Sequence, residues 1–178
     1  MYNADRDQRR VGFPNRQGHG WATWEEQRIA EGMTGSRMDQ ATMNFWQNHS
    51  LSFLEMATRT DRRQVLQNAD GHGKLSRECG DTVEIFLAVR NGRIQSAAFE
   101  TNGCVYALVC ANATVCLAEG KTLEEALALT PEMVVAYLET LPPEETHCAE
   151  QAIQVLRLAI LDARATEGQP WRKFYPRR

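Results

Sequence analysis

The chain has 178 residues, 43% of them hydrophobic, with a mean hydropathy of −0.47 and a net charge of −3. That is enough apolar material for one packed domain with polar extensions; the mixed charge excludes a general nucleic-acid binder, and no apolar run reaches the roughly 18–20 residues a membrane helix needs. The N-terminus has no apolar core of the signal-peptide kind, so the expected compartment is the cytoplasm, where five cysteines are thiols or metal ligands rather than a disulfide frame.

Residues 1–38 are rich in Arg, Asp, Gln and Gly and poor in apolar side chains, and 1–42 reads as a polar N-terminal extension. Thr23-Trp24-Glu25-Glu26 has the capping-box pattern and predicts a short helix through Ile29. Trp21 and Trp24 are large for such an arm; they would cover either this domain's own surface or a partner. From 43 to 66, Phe45, Trp46, Phe53, Leu54, Met56, Val65 and Leu66 recur without strand-like alternation. A helix is expected there, with Phe45, Trp46 and Leu54 over the core. Asn68-Ala-Asp-Gly-His-Gly-Lys74 breaks it and reads as a flexible loop. Its glycines lack the spacing of a phosphate-binding loop.

Val83, Ile85, Leu87 and Val89 alternate with Thr82, Glu84, Phe86, Ala88 and Arg90, the signature of a strand. Asn91-Gly92 predicts a two-residue hairpin turn, since both positions tolerate positive φ. Ile94 to Phe99 returns as the second strand. Two strands are marginal alone, so a third strand or packed helices must complete the sheet; the segment ending at Ser76 is a candidate edge strand. Tyr106 to Leu117 reads as a buried helix ending near Gly120. Thr122-Leu123-Glu124-Glu125 opens a short helix to Leu129. Thr130-Pro131-Glu132 opens another, with proline at its first position, and Leu141-Pro142-Pro143 stops it. A last helix runs from about Glu144 or Cys148 to Ala163. Residues 166–178 form a basic tail. The expected fold is α+β: a small antiparallel sheet of about three strands with helices packed on one face.

The hairpin brings its open end together, so Cys79 and Cys104 become neighbours in space. Cys79 and Asp81 flank Gly80, and this spacing presents a thiol and a carboxylate on one short loop. Asp81 would serve either as a ligand or as a strand-start residue bonded to local backbone. Cys104 precedes a helix, where unpaired N–H groups favour the thiolate, and His147-Cys148 invites the same expectation. Cys110 and Cys116 fall inside the buried helix and read as small core residues. His72 is a further ligand candidate near Cys79, whereas His19 and His49 read as surface or capping residues. No C-x-x-C pair is present, which disfavours a zinc ribbon or thioredoxin-type site.

The segments Asn68-Ala-Asp-Gly-His-Gly-Lys, Glu78-Cys-Gly-Asp81, Phe99-Glu-Thr-Asn-Gly-Cys104, Glu119-Gly-Lys-Thr-Leu-Glu-Glu-Ala126 and Leu141-Pro-Pro…His147-Cys148 resemble the iron–sulfur cluster assembly scaffold family of the IscU/NifU N-terminal type. The similarity covers roughly residues 43–165, which is the expected scaffold domain with an IscU-like fold. The resemblance implies that Cys79, Cys104 and Cys148 are cluster-binding cysteines. It also implies that Asp81 and His147 are the neighbouring carboxylate and imidazole ligands. It further implies a carrier, not an enzyme: a 2Fe-2S cluster is built from iron and from sulfur delivered by a cysteine desulfurase, then passed to apo-proteins. Zinc can occupy the same site, and a zinc-bound sulfur acceptor of the SufU branch is the alternative job for this fold. The bacterial housekeeping branch carries Leu-Pro-Pro-Val-Lys before its His-Cys and binds a DnaK-type chaperone there. This chain has Glu144-Glu145 in place of Val-Lys, a reversed charge that speaks against dedicated chaperone recognition.

Overall fold

Alternation and turn chemistry place the sheet. In the computed structural model, which describes residues 40–77 and 80–167, with side chains from Asn44 onward, the strands are β1 (Gly71–Ser76), β2 (Thr82–Arg90) and β3 (Arg93–Thr101). They form one antiparallel sheet in the order β1-β2-β3. Asn91 and Gly92 take φ of 54° and 71°, as a tight hairpin turn needs. Across β2 and β3, Val83 pairs with Thr101, Ile85 with Phe99 and Leu87 with Ala97, so one face is apolar. A bulge between Ala88 and Val89 then puts Ile94, not Gln95, opposite Val89. The extra residue keeps the branched side chain on the buried face.

The expected loop from Asn68 to Lys74 is corrected: Gly71 to Lys74 belong to β1. The reason is the helix above it. A Cβ on Gly71 would stand 2.1 Å from the Ala159 carbonyl oxygen, and one on Gly73 2.3 Å from that of Val155. Glycine here permits backbone-to-backbone packing, while its sequence signal is that of a turn. Asp162 completes the join by accepting the His72 amide at 2.8 Å.

The single helix expected over 43–66 is also corrected. There are two, α1 (Gln40–Asn48) and α2 (Leu51–Thr58). Ser50 separates them: its Oγ accepts the Phe53 amide as N-cap and donates to the Leu138 carbonyl, and its own N–H donates to Thr140 Oγ1. Beyond Thr58 the chain turns to the edge of β3, where Arg62 O accepts the Phe99 amide and Arg63 bridges Phe99. Backbone groups committed to a sheet edge are not available to a helix. Phe53 and Met56 carry the burial at 0% exposure, while Trp46 is 44% exposed and does not cover the core.

Four further helices follow: α3 (Val105–Ala118), α4 (Leu123–Leu127), α5 (Pro131–Leu138) and, after a 3₁₀ turn at Pro143–Glu145, the long α6 (Thr146–Glu167). The Thr122–Glu125 capping box is present in both directions. α3 is apolar on nearly every side, as a helix buried in the middle of a core must be. Its one buried amide, Asn112, donates to the carbonyls of Met56 and Arg59 and so closes the end of α2. The core lies between the sheet and helices α2, α3, α5 and α6, giving the α+β layer arrangement. Among the described residues no helix is long and apolar enough to cross a membrane. The chain divides into two units, 1–43 and 44–178. The expected helix at Thr23, Trp21, Trp24, His19, Cys79 and the tail beyond Glu167 lie outside the described residues.

Candidate metal centre

The site is built where β2 begins and β3 ends. Thr101 Oγ1 donates to Thr82 O and accepts the Gly103 amide, and the Thr82 amide donates to Asn102 Oδ1. These bonds continue the sheet past its ladder and hold residues 101–104 against 81–82. Gly103 is hemmed in: a Cβ there would meet Ala107 Cβ at 2.8 Å and the Asp81 carboxyl carbon at 3.4 Å. Asp81 thus lies beside Gly103. Cys104 is the N-cap of α3 with extended backbone angles and makes no side-chain capping bond. Its thiol is exposed.

The loop between β1 and β2 is tied down at both ends. Arg77 donates its amide to Asp81 O and the Gly80 amide returns to Arg77 O. The Arg77 guanidinium donates to the His147 carbonyl at 2.7 Å. One turn further along α6, Gln151, 1% exposed, donates to Leu75 O and Asp81 O. The first turns of α6 are therefore bolted to the strand ends that flank Cys79.

α6 starts from the 3₁₀ turn, where Thr146 Oγ1 donates to Pro143 O. Cys148 comes next on the inner side, 3% exposed, with its Sγ 3.7 Å from Glu145 Oε2. Cys104, Glu145 and Cys148 each bring one ligand atom to within 4.8 Å of the others. The His147 ring is fixed otherwise. Nδ1 lies 2.9 Å from the Glu144 carbonyl, which can only accept, so Nδ1 is the donor of that bond and Nε2 is the ring nitrogen left to face the site. That Nε2 stands 3.9 Å from Glu145 Oε2.

Electrostatics at Cys148 reverse the expectation for a thiol at a helix start. Burial, then the neighbouring Cys104 and the Glu145 carboxylate, push its pKa from 9.0 up to about 12. Desolvation outweighs the helix dipole because the sulfur sits beneath the surface. Without a metal it is a neutral thiol that donates to Glu145. A cation would reverse this by binding the thiolate directly.

The structure brings Cys104 and Cys148 together from two different elements, with Asp81 and His147 at the margins of the group. Cys110 is fully buried in α3; burial raises its pKa strongly, and Cys148, Cys104 and Glu145 add to that. It lies below the site as a thiol. Cys116 is half-buried on the same helix. His72 is engaged elsewhere, with Nε2 3.0 Å from Glu84 Oε2 and its ring stacked on Phe86. His49 bonds the Phe45 carbonyl at the end of α1. Sequence reasoning missed three contributors. Arg77 and Gln151 act through contacts more than 69 residues away in the chain. Glu145 had a local signal, being three residues before Cys148 and so on the same side of a helical turn. Its charge drew the reading toward partner recognition instead.

Two soft thiol ligands with carboxylate and imidazole groups alongside suit zinc or an iron–sulfur cluster. The description "NifU-like N terminal domain" matches residues 58–169. Over 98 residues the chain is 38% identical to "Iron-sulfur cluster assembly scaffold protein IscU 1" of Archaeoglobus fulgidus, covering 54% of this chain and 64% of that protein. It is 36% identical over 91 residues to "Iron-sulfur cluster assembly scaffold protein IscU" of Haemophilus influenzae, with 51% and 71% covered. The chain therefore spans a little under two thirds of the Archaeoglobus relative. Among solved structures, the N-terminal part of a nitrogen-fixing NifU-like protein from Brucella abortus superposes with a TM-score of 0.54 at 18% identity, covering 65% of this chain and 94% of that one. A putative cluster assembly scaffold for the SUF system from Fervidobacterium islandicum gives 0.53 at 17%, covering 64% and 97%. Both likenesses concern the fold.

Proposed function

The chain belongs to the NifU-like N-terminal domain family, and from that premise we propose that it is a scaffold on which an iron–sulfur cluster is assembled and from which the cluster passes to apo-proteins. The observation that carries this reading is the convergence of Cys104 and Cys148, from the start of α3 and the start of α6, within 4.8 Å. Two thiols held at helix ends, at the open edge of a sheet, make a rigid platform with an exposed mouth. The relatives' names as cluster assembly scaffolds support the same role. The cargo is a 2Fe-2S cluster held by Cys79, Cys104 and Cys148, with Asp81 and His147 as the exchangeable ligands. Three thiolates and one harder donor bind a cluster less firmly than four thiolates, which suits a carrier. The supplying partner is a cysteine desulfurase and the receiving partners are apo iron–sulfur proteins. The scaffold domain spans 43–165, with 1–42 as its extension and 166–178 as its tail. Glu144-Glu145 in place of Val-Lys speaks against dedicated recognition by a chaperone of the DnaK type.

A second reading, a zinc-bound sulfur acceptor, is favoured by one observation. The three ligand atoms lie within 4.8 Å of one another, and the Glu145–Cys148 pair at 3.7 Å has the separation a single ion requires. Cys79 would complete a four-ligand zinc set with them. Anaerobic reconstitution with iron, cysteine and a desulfurase separates the two readings. Visible sulfur-to-iron charge-transfer bands that vanish in Cys79→Ser, Cys104→Ser and Cys148→Ser are expected. One tightly held zinc per chain and no such bands refutes the scaffold and selects the acceptor.

A further inference from the structure

The 3₁₀ turn before α6 delivers a carboxylate into the site. Glu145 Oε2 stands 3.7 Å from Cys148 Sγ and within 4.8 Å of Cys104 Sγ. A tetrahedral ion with metal–sulfur of about 2.3 Å and metal–oxygen of about 2.1 Å separates the two ligand atoms by about 3.6 Å. The observed spacing therefore accepts an ion between Glu145 and Cys148 with no movement of the backbone. The other oxygen and nitrogen donors are placed differently. The Asp81 carboxyl packs beside Gly103 and is not in the close group. The His147 ring is held by the Glu144 carbonyl, and its Nε2, 3.9 Å from Glu145 Oε2, is not in the close group.

We propose that Glu145 supplies an oxygen ligand to the metal held by Cys104 and Cys148. This rests on the reading that those thiols take a metal at all. The charge at position 145 then has a role inside the site, alongside the ligands named for the cluster. The full chain can be titrated with Co²⁺ as the probe, in wild type and in Glu145→Gln, Glu145→Ala and Glu144→Gln. Wild type is expected to show tetrahedral d–d bands and sulfur-to-cobalt charge transfer. Glu145→Gln and Glu145→Ala are expected to weaken binding by about tenfold or more and to shift the d–d bands, while charge transfer persists because both thiols remain. Glu144→Gln removes the neighbouring exposed carboxylate, which is not in the close group, and is expected to keep the wild-type affinity and spectrum. Glu145→Gln preserves size and the turn, and its urea midpoint confirms that it folds. Unchanged affinity and bands in both Glu145 variants overturn the proposal and leave the scaffold reading standing. A wild-type protein with no sulfur-to-cobalt band overturns the metal-holding reading and this proposal with it.

Discussion

Gly73→Ala tests the joint that positions α6, and through it Cys148. The added Cβ would stand 2.3 Å from Val155 O, 2.7 Å from the Ala159 amide nitrogen and 3.1 Å from Leu158 Cβ. Ordinary contacts begin about 1 Å further out. The nearest obstacles are helix backbone, which has no rotamer to change, so strand and helix must separate by roughly that amount. A gap of this size forfeits about a quarter to a half of each contact's attraction. Overpacking costs about 1–3 kcal/mol, and the rigid obstacle argues for the upper end. Alanine returns about 0.4–1 kcal/mol by restricting the unfolded chain. A net loss of about 2 kcal/mol is expected, seen as a urea midpoint lowered by about 1 M for a slope of about 2 kcal/mol/M. Metal affinity should fall as well, because α6 carries Cys148. Gly92→Ala is the matched control: its φ of 71° costs the alanine about 1 kcal/mol, nothing crowds its Cβ, and metal binding should be unchanged. If Gly73→Ala unfolds at the wild-type midpoint, the close helix–strand approach does not hold the site.

Three other outcomes are expected. The pKa of Cys148 is raised in the fold, from 9.0 to about 12, so folding favours the protonated thiol; its contribution to stability is complete below pH 9 and lost as the pH climbs from 9 towards 12. Urea midpoints of apo wild type should therefore fall more steeply above pH 9 than those of Cys148→Ala, and parallel curves would count against the burial argument. Gln151→Leu strips the donor from two backbone carbonyls and should cost about 1–3 kcal/mol with weaker metal binding; amide exchange at Leu75 and Thr82 no faster than in wild type would dismiss the clamp. Cys110→Ala should lower stability by about 1–2 kcal/mol and leave metal stoichiometry unchanged, whereas lost stoichiometry would make Cys110 a ligand.

Much of the molecule was legible along the chain. The β2–β3 hairpin, the capped start of α4, the proline that opens α5, and the buried character of α3 arise from neighbouring residues. Local rules of period, capping and turn geometry therefore reach them. The separation of Cys104 and Cys148 from Cys110 could likewise be read, because a cysteine in a continuous apolar helix is marked by its neighbours. Other features came only with the third dimension. Gly71 and Gly73 carry a turn signal, and only the backbone of α6 above them makes that stretch a strand. The helix expected over 43–66 ends at Thr58 because the edge of β3 takes the backbone of Arg62 and Arg63. The chemistry of Cys148 was misjudged for the same reason: its helix start is visible in sequence, but its desolvation depends on what α3 and the 3₁₀ turn bury around it. What the sequence determined by itself was which thiols stand at element ends, since that is a local property. What only the tertiary structure decided was which groups meet them. Arg77 and Gln151 reach the site across 70 residues of chain, and no spacing rule measures that distance.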